Sequence, residues 1–183
     1  MTMGVCQKTN AVYFLLGREK YWKKFKDDSE KWSDFGGRSK AGETAERTAA
    51  REFWEETCGC VAFAGGDAVP LADCDAVELY LRRKEYVYKF DFEVRGSDGG
   101  IYTTFVCQIP LQPGCAGLFS LVRASRTDDV FLEKTKLAWF GLQQLRNAAF
   151  STPVLRCDSF MRREFVRRWF RDRIRLILPY LAV

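Results

Sequence analysis

Histidine is absent from all 183 residues. That excludes His-ligated metal sites, imidazole acid–base catalysis and any Ser–His or Cys–His nucleophile pair. No run of about 18 apolar residues occurs, so no membrane span is expected. Seven cysteines fall at 6, 58, 60, 74, 107, 115 and 157, and none forms a C-x-x-C pair, which excludes the usual zinc spacing. Met1 to Asn10 lacks a charged-then-apolar export pattern. Free thiols in a reducing, cytoplasmic compartment are therefore expected. No repeat, low-complexity tract or linker divides the chain, which reads as a single domain over residues 1–183. Apolar types at 47% with 29% charged residues place it among globular rather than disordered chains.

The net charge of +5 is concentrated at one end. Eight arginines lie between Arg156 and Arg175 against Asp158, Glu164 and Asp172, and the rest of the chain is balanced. Such a segment suits a polyanionic partner.

Ala11–Gly17 reads as a buried strand, Lys20–Lys31 as an exposed loop, and Trp32–Gly37 as a short strand entering a glycine pair. Glu43–Thr57, free of Gly and Pro, is expected to be helical, with Gly59 as its stop. Cys60–Ala64 reads as a strand before a turn at Gly65-Gly66-Asp67. Val77–Arg82 and Glu85–Val94 read as further strands, the second placing Tyr86, Tyr88, Phe90 and Phe92 on one face. The turn Gly96–Gly100 joins it to a strand at Ile101–Ile109. Leu137–Phe140 is expected as a strand and Leu142–Ala148 as a helix. A long basic helix is expected over 159–178, ending near Pro179.

The densest chemistry lies between Gly37 and Val61. Glu52, Glu55 and Glu56 share one helical face, where like charges repel. A divalent cation would offset that repulsion, and oxygen-only donors suit Mg²⁺ or Mn²⁺. Ala45 and Ala49 lie close to the same meridian and leave room for a ligand or another backbone. Phe53 and Trp54 point elsewhere and would anchor the helix. Arg51 can orient a neighbouring carboxylate, and the Gly36–Gly37 pair allows close approach, so a Gly37 carbonyl could complete a metal shell. The other reading is a solvated helix with Arg–Glu pairs such as Glu43–Arg47, which leaves the glutamate trio unpaired.

The spacing decides between them. Gly37, five residues, Glu43, seven residues, then Arg51-Glu52-Phe53-Trp54-Glu55-Glu56 resembles the Nudix box at every position to Glu56. The box expects glycine after Thr57, where this chain has Cys58 and places Gly59 one later. The likeness extends over roughly Val12 to Leu145. Trp32–Gly37, Leu132-Glu133-Lys134 and Trp139-Phe140 are similar to flanks of eukaryotic and large-DNA-virus members, some of them mRNA-decapping.

The resemblance implies an α+β fold, an α/β/α sandwich around a mixed β-sheet, and hydrolysis of the diphosphate bond of a nucleoside diphosphate linked to another group. It implies Gly37, Glu52, Glu55 and Glu56 as metal ligands, with one of the three glutamates as base and Glu52 and Glu56 the catalytic candidates, Arg51 orienting a glutamate, and Glu43 supporting the loop. A further glutamate from a later loop is commonly recruited; Glu133 is the candidate, ahead of Glu93 or Glu85. Arg163, Arg167, Arg171 and Arg175, each four apart, would form one basic helical row, with Phe160, Met161, Phe165 and Trp169 on another side. Lys20, Lys23, Lys24 and Lys26 could extend the row. It reads either as the wet side of a packed helix or as a phosphate-tracking surface for capped RNA. Small nucleotides and diphosphoinositol polyphosphates are the other polyanionic substrates, and a non-catalytic nucleotide- or RNA-binding module is the alternative class.

Overall fold

The computed structural model describes residues 1–24, 26–63, 73–94, 100–157 and 162–181. In chain order these form β1 (Thr2–Val5), β2 (Val12–Glu19), β3 (Trp32–Ser33), α1 (Ala45–Glu56), α2 (Cys74–Arg82), β4 (Tyr88–Val94) and β5 (Gly100–Pro110). Then follow α3 (Cys115–Ala124), β6 (Lys134–Gly141), α4 (Leu142–Phe150), β7 (Val154–Cys157), β8 (Arg162–Phe165) and α5 (Arg168–Ile177).

The apolar run in β2 is continuous because both its faces are buried. Phe14 and Leu16 enter one core with Trp32, Phe140, Leu145, Phe170 and Ile174. Leu15 enters the other with Phe53, Val77, Phe105, Phe119 and Leu137. Helices α4 and α5 cover the first core, and α1, α2 and α3 cover the second, so the sheet is sandwiched between helical layers. Its strand order is β3-β2-β1-β5-β4, with β6 also paired to β2. The β1–β5 pairing is parallel and the others are antiparallel, which makes the sheet mixed. The expected α+β sandwich, a mixed sheet between helical layers, is the observed architecture.

The expected strand at Val77–Arg82 is instead part of α2. Asp73 caps it by accepting from the Asp75 N–H, and Cys74, Val77 and Leu81 are buried at helical spacing. Cys60 to Phe63 forms no strand, and Ala64 lies outside the described residues. The β4–β5 hairpin forms in register, Tyr88 opposite Val106 and Val94 opposite Gly100. Tyr88, Phe90 and Phe92 line one face, but Tyr86 precedes the strand and packs on Phe105 in the other core. The expected turn residues Gly65–Asp67 and Gly96–Gly99 lie outside the described residues.

The largest correction concerns the C-terminal segment. No helix spans 159–178. Arg162–Phe165 pairs antiparallel with Val154–Cys157, Val166 bridges Trp32, and the helix begins only at Arg168. Phe165-Val166 is an aromatic and β-branched pair suited to extended structure, and pairing was available from β7. Phe160 and Met161 lie outside the described residues.

Candidate functional site

Ser33 ends the short edge strand β3, and Asp34-Phe35-Gly36-Gly37 carries the chain beneath α1. Both glycines are required by close approach. A Cβ on Gly36 would meet the Tyr102 hydroxyl at 2.6 Å, and one on Gly37 would overlap the Glu52 carboxylate. Thr44 caps α1 by accepting from the Arg47 N–H at 3.2 Å. Phe53 anchors the helix edge-on against Phe35 and Phe63, and Trp54 against Phe131.

The helix exit answers the one departure from the box. α1 ends at Glu56, Cys58 itself takes the left-handed conformation at φ 53°, and Gly59 follows at φ 68°. A non-glycine residue there costs about 1 kcal/mol. Cys58 is buried, and its Sγ lies 3.3 Å from the Phe131 carbonyl. Cys6, Cys58, Cys60, Cys74, Cys107 and Cys115 are all free. Burial pushes the Cys60 thiol up to about 12 and Cys107 to about 11, which makes them poor nucleophiles.

Arg51 organises the carboxylates. Its Nε and Nη2 donate to the two Glu43 oxygens at 2.7 and 3.0 Å. Its Nη1 donates to Glu52 at 2.7 Å and Glu55 at 3.0 Å, and Nη2 also reaches the Arg38 carbonyl at 3.0 Å. Glu43 in turn accepts from the Lys40 N–H and the Thr48 hydroxyl, which braces the loop before α1. These contacts hold Glu43 down near 2, chiefly through Arg51. Arg47 does not pair with Glu43; it bridges to Asp75 and Glu78 on α2.

The working carboxylates stand in contrast. Burial raises Glu52 above the usual range, with Arg51 opposing. Burial pushes Glu56 up to about 8, Glu19 adding and Lys134 opposing. Glu56 accepts from the Gly36 N–H at 2.8 Å and faces the Lys134 ammonium at 3.2 Å. Glu133, immediately before β6, is raised by burial and next by the Glu52 charge, so it borders the same site. Glu85 and Glu93 are exposed, on the connection after α2 and on β4.

Among the described residues no three acidic or sulfur side chains are gathered closely enough to hold an ion. The donor set nevertheless fits a hard divalent cation. Burial raises Glu52, Glu56 and Glu133 above the usual carboxylate range, and the Glu52 carboxylate is pressed against the Gly37 backbone, an oxygen-rich setting that suits such an ion. Alongside, a cavity of about 80 Å³ is lined by Gly36, Gly37, Ala45, Ala49 and Tyr102. The two small alanines do leave space there.

The arginine row is not assembled. Arg163 stands on strand β8, and Arg167 precedes α5. Arg167 donates to Glu19 at 2.9 Å and pairs with Asp28 at 3.5 Å. Arg171 and Arg175 both donate to the Ala149 carbonyl, at 3.1 and 2.6 Å, at the C-terminal end of α4. Two neighbours of the box are not read as site residues from the sequence: Glu19, and Lys134, which enters only as part of the Leu132-Glu133-Lys134 flank. No local signal marks them, since Glu19 follows Arg18 at the end of β2 and Lys134 shares β6 with Lys136; only the strand register brings them together.

A NUDIX domain profile matches residues 2–99, more than half of the chain. No curated protein matches it. A solved structure, that of a mutT/nudix family protein from Listeria innocua, is 16% identical and aligns over 100% of this chain and 92% of that one, with a TM-score of 0.42. No helix among the described residues is long and apolar enough to cross a membrane. With a matching profile over its first half and an intact carboxylate box through Glu56, this chain belongs to the Nudix family.

Proposed function

We propose that this chain is a divalent-metal-dependent pyrophosphohydrolase, a single domain acting on the diphosphate bond of a nucleoside diphosphate derivative. One observation carries the reading: Arg51 gathers Glu52 and Glu55 of α1 with Glu43 of the preceding loop, and Glu52 abuts Gly37. Glu52, Glu55, Glu56 and the Gly37 carbonyl would hold Mg²⁺ or Mn²⁺. When bound, the cation supplies neutralisation of the diphosphate and a polarised water. Arg51 fixes the direction of two carboxylates. Glu56, pushed up to about 8, suits proton exchange near neutral pH, and Glu133, raised by burial, is the further candidate from a later loop. Glu52, raised by burial, is the other carboxylate that could serve as base.

Within that reading we propose the 5′ cap of RNA as substrate, on the strength of the positive surplus between Arg156 and Arg175. A specific observation favours a second reading, small dinucleotides or diphosphoinositol polyphosphates. Arg167, Arg171 and Arg175 are already spent on protein acceptors. The test is incubation of the parent and Glu56→Gln with cap-labelled RNA and a panel of small diphosphates, in Mg²⁺ or Mn²⁺. Release of a capped nucleoside diphosphate by the parent alone supports decapping. Turnover of small diphosphates only selects the second reading. Binding of metal and RNA without turnover of anything would make the chain a binding module and overturn the proposal.

A further inference from the structure

The most deeply buried charges beneath the box belong to no motif. Lys134 opens β6 with its side chain 1% exposed. Its ammonium lies 2.6 Å from Glu19 Oε1 and 3.2 Å from Glu56 Oε1, and donates to Ser33 Oγ at 2.9 Å and the Asp34 carbonyl at 3.2 Å. The β2–β6 register puts Lys134 opposite Glu19. Gly17 makes room for it, since a Cβ there would fall 2.8 Å from Lys134 Cδ and 2.9 Å from Cγ.

Lys134 alone would leave two buried carboxylates sharing one cation, a costly imbalance. Arg167 brings Glu19 a second cation, while its other terminal nitrogen pairs with Asp28 at 3.5 Å. Its N–H donates to the Trp32 carbonyl at 3.0 Å beside the Val166–Trp32 bridge, which fastens the C-terminal segment to β3. From there Nη1 reaches Glu19 Oε1 at 2.9 Å. Glu19 therefore takes Ser33, Lys134 and Arg167 on one oxygen. Glu56 is held by two groups, one on each oxygen: the Gly36 N–H on Oε2 and Lys134 on Oε1.

We propose that Lys134 and Arg167 are positioning residues for the hydrolysis: Lys134 fixes the Glu56 carboxylate, and Arg167 occupies Glu19 so that Lys134 stays shared with Glu56. This rests on the reading of Glu56 as a working carboxylate of the box. Lys134, at 1% exposure, is sealed from any bound substrate. With Lys134 gone, Glu56 keeps one anchor and its carboxylate is free to turn.

The test is a double-mutant cycle of Lys134→Met and Glu56→Gln, with kcat and KM on whichever diphosphate the parent turns over and Mn²⁺ affinity by electron paramagnetic resonance. Lys134→Met should lower kcat about 10- to 100-fold with KM within about threefold, and should weaken Mn²⁺ binding. In the Glu56→Gln background the same change should alter neither quantity by more than about twofold. Arg167→Gln should lose activity in the same direction, by less. Equal losses in both backgrounds would mean that Lys134 acts on the fold alone, and would overturn the proposal. Should Lys134→Met fail to fold, Gly17→Ala displaces only the lysine's stem. A folded Gly17→Ala protein with unchanged kcat and Mn²⁺ affinity would overturn it too. A parent silent on every diphosphate would defeat the hydrolase reading instead, and the Mn²⁺ affinities of the cycle would still decide this one.

Discussion

Replacing Glu56 by glutamine should flatten the pH dependence of stability of the metal-free protein. In the folded chain Glu56 is 3% exposed, and burial keeps it protonated up to about 8. In the unfolded chain it ionises near the ordinary glutamate value of 4.5. Between those values the folded state binds the extra proton. The resulting stability is fully present below about 4.5 and is lost as pH rises through about 8. The slope approaches about 1.4 kcal/mol per pH unit, so about 2 kcal/mol should disappear between pH 6 and pH 8. Glu52 and Glu133 titrate in the same sense, and the buried thiols of Cys60 and Cys107 extend it above pH 9, so the glutamine variant is the control that isolates Glu56. The assay is urea unfolding of both proteins in chelator from pH 6 to 8. The parent should lose stability over this interval and the variant should lose about 2 kcal/mol less. Saturating Mn²⁺ should stabilise the parent more at pH 8 than at pH 6, because the cation binds the ionised carboxylate. Equal slopes in the two proteins, or stability attributable to Glu56 that increases with pH, would refute the reasoning.

Arg51→Lys should cost about 3 kcal/mol of stability and at least 100-fold in kcat, because a point charge cannot span Glu43, Glu52 and Glu55 together; urea midpoints and initial rates measure the two losses. Gly37→Ala should reduce turnover by about 100-fold with the fold retained, as the new methyl displaces the Glu52 carboxylate by about 1 Å; circular dichroism beside the rate assay separates the effects. Arg175→Ala should cost about 1 kcal/mol through loss of the bond to the Ala149 carbonyl. Its RNA-binding salt slope should stay within experimental error of the parent's, whereas a fall of about one would return Arg175 to a phosphate-contacting role.

The box was legible because its meaning lies in fixed local spacing. One α-helical turn brings Glu52 and Glu56 onto a face whatever the rest of the chain does. The β4–β5 hairpin was legible for a similar reason, an alternating strand followed by a glycine-rich stretch of sequence and a second strand that pairs with it. Local pattern failed wherever a distant strand chose the conformation. Nothing within Arg162–Phe165 opposes a helix strongly; its pairing with β7 and the Val166–Trp32 bridge decide against one. α2 was misread because nine residues give too few turns for its period to stand out from an apolar strand.

Charge was the least legible property of all, and the arginines show why. Spacing of four places residues in a row only if one helix contains them, and β8 removes Arg163 from any such helix. Proximity then assigns each remaining arginine a different task. Arg171 and Arg175 meet the free carbonyl at the end of α4, while Arg167 is carried by the Trp32 contact to Glu19. Net charge counts all of these equally, although a guanidinium bound to a buried carboxylate offers a polyanion little. The same logic runs in reverse for Lys134, which adds one unremarkable charge to the composition. Strand register sets it between Glu19 and Glu56, where a single ammonium governs whether the box glutamate is held or free to turn. The electrostatics of the site therefore follow from sheet register and strand pairing, one step after the fold.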